Sequence, residues 1–140
     1  MKETRHPYLV IFGTIICGFL FVYLSRFLTV FPFFGGPDAR KILIAILLIT
    51  AATAFCSTRI FSLSKETITF AHIFLALLGV LCIIGVYNLE AAAMFFGRFS
   101  PLYDDYEGAG FLLLFIMLTI LGLSIGFSIG RTFARSSRNE

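Results

Sequence analysis

Four polar residues, His72, Arg26, Asn88 and Glu90, raise chemical questions, because they fall within or beside long apolar stretches of a 140-residue chain that is 59% hydrophobic. Ionisable groups at such positions are costly and by default mark function. An imidazole at His72 has the chemistry to relay protons or to bind a cofactor. Haem held between helices usually wants a second strong ligand, zinc wants three or four, and the other histidine, His6, lies before the first apolar stretch. His72 is therefore expected to be a packed or interfacial side chain, with no cofactor and no metal site.

Arg26 and Glu90 fall at nearly matching depths near one membrane face, counted along helices at 1.5 Å per residue. Two arrangements fit. Either Arg26 pairs with Glu90, helped by Asn88, which lessens the burial cost of each charge, or Arg26 snorkels to the headgroups while Glu90 is solvated. The segment 97–108 adds Asp104, Asp105 and Glu107 among three aromatics. Its spacing does not match a calcium loop, and it reads as interfacial aromatics beside a solvated acidic turn. Neither an esterase elbow, a zincin motif nor a phosphate-binding glycine loop occurs, so no enzyme is expected and no catalytic residue is assigned. Cys17, Cys56 and Cys82 all lie in apolar runs without C-x-x-C spacing, which reads as packing rather than redox chemistry.

The elements that position these groups follow from hydropathy. Crossing about 30 Å of hydrocarbon takes about 20 apolar residues, and four such runs are present, at roughly 8–31, 41–58, 68–88 and 110–130. The first is longer than a signal-peptide core of about 7–15 residues and lacks a cleavage pattern, so it is expected to remain as a helix. Pro32, Gly35, Gly36 and Pro37 close it. Whether 91–99 extends the third span or lies in the interface is open. The fold class is an all-α membrane protein, a single four-helix transmembrane bundle over residues 1–140.

Orientation follows from the basic residues, which are retained on the cytoplasmic side of short loops. Lys2, Arg5, Arg59, Lys65, Arg131, Arg135 and Arg138 fall on one side, and Arg40, Lys41 and Arg98 on the other. Both termini are expected in the cytoplasm. The net charge of +3 is thus topological, and no nucleic-acid partner is expected.

The sharpest pattern is in the fourth span, where Gly122, Gly126 and Gly130 recur every four residues with Ser124 and Ser128 between them. That spacing puts the glycines on one helix face, where a second backbone can approach closely. The approaching helix is either another span of this chain, with small residues such as Gly13, Gly18, Ala51, Ala52, Ala54, Gly79 and Gly85 as faces, or a helix of another subunit. The expected role is a small multi-pass protein acting through helix contacts. It would be an accessory or assembly subunit of a larger membrane complex, or a homo-oligomer formed through the fourth helix, in a bacterial inner membrane. The alternative is a small oligomeric transporter or channel using Arg26, Asn88, Glu90 and His72.

Overall fold

In a computed structural model, residues 5–28, 39–99 and 105–138 are described, with side chains over 5–24, 43–99 and 105–137. They form α1 (Pro7–Leu28), α2 (Ala39–Phe61), α3 (Lys65–Tyr87), α4 (Leu89–Gly97) and α5 (Tyr106–Arg138). Four of these, α1, α2, α3 and α5, are long and apolar enough to cross a membrane. The expected turn at Pro32–Pro37 lies outside the described residues.

The helix ends depart from the expected spans for identifiable reasons. α2 runs past Arg59 to Phe61, where Ser62 takes φ 50° and the Leu63 N–H donates to the Thr58 carbonyl over 3.4 Å. This is the left-handed closure of a Schellman turn, satisfying a carbonyl the helix leaves open. α3 starts at Lys65 rather than near Ile68, because Ser64 caps it, its hydroxyl accepting from the Thr67 N–H. α5 is 33 residues long, about 50 Å at 1.5 Å per residue, so it outruns the 110–130 span at both ends.

The segment after Tyr87 is a separate helix. Asn88, at φ −131° and ψ 60°, leaves the helical region, and its N–H closes α3 onto the Ile84 and Gly85 carbonyls. α4 then buries Ala93, with Leu89, Ala92 and Phe96 partly buried against the core, and packs on α5.

α2 and α5 share the most extensive contact, α1 packs mainly on α2, and α3 packs mainly on α5. Only 22% of the apolar stretch is buried in α1 and in α3, against 28% in α2 and 39% in α5, so α5 is the most enclosed helix, with α2 and α3 packed on it and α1 seated mainly on α2. The core between them holds Ile11, Ile15, Ala54, Ile68, Leu75, Leu123 and Phe127.

At its start α5 carries a cap that the acidic segment conceals. Asp105 Oδ1 accepts from the Gly108 N–H at 2.7 Å, satisfying a donor that the first turn cannot pair internally. Asp105→Ala should cost about 1 kcal/mol of stability, measured by reversible unfolding in mixed micelles. Asp105→Asn should retain most of it.

Candidate functional site

The glycine face of α5 is occupied by α2. A Cβ built at Gly122 would stand 3.0 Å from Thr50 Cβ, one at Gly126 2.7 Å from Ala54 Cβ, and one at Gly130 2.8 Å from Thr58 Cβ. The Ala51 carbonyl also lies against Gly126. Thr50, Ala54 and Thr58 repeat every four residues, as the glycines do. Small residues on both helices thus face one another, and the backbones approach as a helix pair in lipid requires.

Threonines on such a seam carry hydroxyls into an apolar contact, and each is satisfied locally. Thr50 donates to the Ile46 carbonyl at 2.7 Å and Thr58 to the Ala54 carbonyl at 2.8 Å. On α5, Thr119 donates to the Phe115 carbonyl at 2.8 Å. This back-bonding removes the penalty of an unpaired buried hydroxyl. On its other side α2 is tied to α1 by a hydrogen bond between the Thr14 hydroxyl of α1 and the Ser57 hydroxyl of α2. Among the described residues no buried side-chain nitrogen or oxygen lacks a partner.

Glycines also serve α5 on its other sides. The Leu123 side chain seats over Gly18 of α1, where an added Cβ would stand 3.0 Å from it. Leu113 seats over Gly85 of α3 at 3.3 Å. α5 therefore uses its own glycines against α2 and its neighbours' glycines as notches for its leucines.

His72 holds α3 to α5. Its Nδ1 lies 2.8 Å from the Ile68 carbonyl one turn earlier, and its Nε2 lies 3.0 Å from Ser128 Oγ and 3.2 Å from the Ser124 carbonyl. Ser128 in turn donates to the Ser124 carbonyl at 2.9 Å. The Phe127 ring stands edge-on, its centroid 6.4 Å from that of the imidazole. The partners of His72 on α5 are thus the Ser128 hydroxyl and the backbone carbonyl of Ser124. Ser128, two residues from Gly126 and from Gly130, faces α3 while those glycines face α2.

Compared with known protein families, characterised proteins and solved structures, the chain has no significant match.

The remaining polar candidates do not gather around His72. Asn88 forms the break between α3 and α4, and Glu90 is exposed in the first turn of α4, at the opposite end of α3 from His72. The Arg26 side chain, and with it the Arg26–Glu90 contact, lies outside the described residues. Among the described residues no three His, Cys, Asp or Glu side chains converge as metal ligands.

The outward faces are apolar. Leu9, Ile16 and Leu20 of α1, Ile73, Leu77, Val80, Leu81 and Ile84 of α3, and Leu121, Ile125 and Ile129 of α5 are exposed. All three helices also carry small residues with open space beside them, Gly110 near the start of α5 among them. Gly13 and Cys17 of α1 are exposed, as is Ala76 of α3, and a Cβ added at Gly13 or Gly79 would meet nothing within 4 Å.

Proposed function

We propose that this chain is a multi-pass membrane protein that acts through helix contacts, as an accessory or assembly subunit of a membrane complex. In this reading both termini lie in the cytoplasm, the bilayer is the inner membrane of a bacterium, and no bond is made or broken by the protein. The observation that carries it is a division between two sets of small residues. One set, Gly122, Gly126 and Gly130, is used up inside the chain against α2, while in a second set Gly13, Cys17 and Ala76 are exposed and a Cβ added at Gly13 or at half-buried Gly79 meets nothing within 4 Å among the described residues. Glycine leaves a helix interior about 1 kcal/mol worse off than alanine. Its presence on an outward face is useful where another helix must come close.

The division moves the expected contact surface. A partner seated on the fourth long helix meets the side of α5 bearing Leu121, Ile125 and Ile129, and the glycine notches point to α1 and α3. Photo-reactive side chains at Ile16 and Leu77 in native membranes should give discrete protein adducts, and Gly79→Leu should abolish the α3 adduct while the chain still inserts and folds. Adducts with lipid alone, or a Gly79→Leu variant with unchanged protein adducts, would overturn the proposal.

A further inference from the structure

His72 is the eighth residue of α3, about 10 Å along the helix from its start. It is only partly buried, and its partner Ser128 is exposed. Both lie toward the end of the bundle that carries the termini. The hydrogen-bonding inventory around the ring restricts where its protons can be. A carbonyl oxygen only accepts, so the 2.8 Å contact with Ile68 requires hydrogen on Nδ1 whether the ring is neutral or charged.

The charge state then rests on Nε2 and on the hydroxyl beside it. In the neutral ring Nε2 is a lone pair. The Ser124 carbonyl cannot donate to it, and the Ser128 hydroxyl, 3.0 Å away, can. In the charged ring Nε2–H donates to Ser128 Oγ and toward the Ser124 carbonyl, while the Ser128 hydroxyl donates to that carbonyl at 2.9 Å. Both states satisfy every group with the same heavy atoms in place, and the exchange takes one rotation of the Ser128 O–H. A histidine acting only as a structural tie needs one such state; this site accommodates two.

We propose that His72 and Ser128 form a reversible proton-binding site between α3 and α5, exchanging with water at the end of the bundle that carries both termini. Among the described residues no carboxylate or cationic side chain hydrogen-bonds to the ring. The charged and titratable groups described at that end of the packed helices are exposed: Lys65 and Glu66 on α3, Arg131 and Arg135 on α5, Arg59 on α2, and Arg5, His6 and Tyr8 at or before the start of α1; Tyr87 of α3 and Tyr106 and Glu107 of α5 lie at the opposite end. Control of the site therefore rests on the hydroxyl and the two carbonyls.

The test is nitrogen NMR of the full chain in bilayers with labelled histidine, in a His6→Gln background that leaves the His72 ring as the sole signal. The neutral ring should carry hydrogen on Nδ1 and convert reversibly to the doubly protonated form when the sample is acidified, with Nε2 changing from acceptor to donor. Ser128→Ala should keep the helical fold and shift the neutral ring's Nε2 resonance toward that of a lone pair without a donor. The proposal is overturned by a ring that holds one protonation state throughout, by a neutral ring protonated at Nε2, or by an Nε2 resonance that Ser128→Ala leaves unmoved.

Discussion

Replacing Gly126 by alanine should lower the stability of the bundle by about 1–3 kcal/mol, the usual cost of inserting one carbon into a packed contact. The added methyl meets the Ala51 carbonyl and stands 2.7 Å from Ala54 Cβ. Neither atom is the far end of a flexible side chain, so relief requires α2 and α5 to move apart. Separation weakens the contacts on either side of it, because Thr50 at Gly122 and Thr58 at Gly130 belong to the same rigid pair of helices. A leucine at the same position should prevent the pair from closing. Alanine at Gly79, where an added Cβ meets nothing within 4 Å, should not lower stability and should raise it by up to about 1 kcal/mol, because alanine is the better helix former. Reversible unfolding in mixed micelles reads both variants, and equal losses at Gly126 and Gly79 would contradict the seam.

The same contrast bears on function. Loss of a complex in a Gly126 variant would report the collapse of α2 from α5 as much as the loss of a partner. Substitution at Gly79 leaves the seam intact, so the assembly experiment belongs there.

The architecture is legible in the sequence where a single helix carries the signal. Runs of about 20 apolar residues mark the four long helices, and a four-residue period marks the glycine face of α5. What the period faces is less legible, because contact is a property of two helices. Thr50, Ala54 and Thr58 repeat with the same spacing as the glycines, but two of them are hydroxyl residues, and their suitability for a dry seam depends on the bonds to Ile46 and Ala54. The end of the third span at residue 88 is legible, but whether 91–99 continues it is not, because Leu89–Phe96 is as apolar as the helix before it and hydropathy does not register a turn in direction. Asp105 reads as one acid in an acidic turn until the Gly108 N–H is seen to need an acceptor. His72 is visible as an isolated imidazole. Its partners Ser124 and Ser128 are visible too, as spacers in the zipper, and only the packing of α3 on α5 joins the two observations.

Phe127 tests the opposite error at the same place, a void instead of a clash. Its ring is fully buried, one residue from Gly126 at the α2 seam and one from Ser128 at His72, so three consecutive residues of α5 serve α2, the core and α3 in turn. In a water-soluble core Phe→Ala costs about 3–5 kcal/mol, the sum of a transfer term and a cavity term. Where separated helices remain in an apolar solvent the transfer term largely drops out, and the lost packing remains. Phe127→Ala should therefore cost roughly 2 kcal/mol or more, with Phe127→Leu well below it, by the same unfolding measurement. Combined with Gly126→Ala, the loss should be smaller than the two single losses added. The space left by the ring lets α5 shift away from Ala51 and Ala54, and neighbouring sites that share such a shift couple by about 0.5–3 kcal/mol. Strict additivity would mean that the seam and the core beneath it yield independently, and α5 would then not move as a single rigid helix.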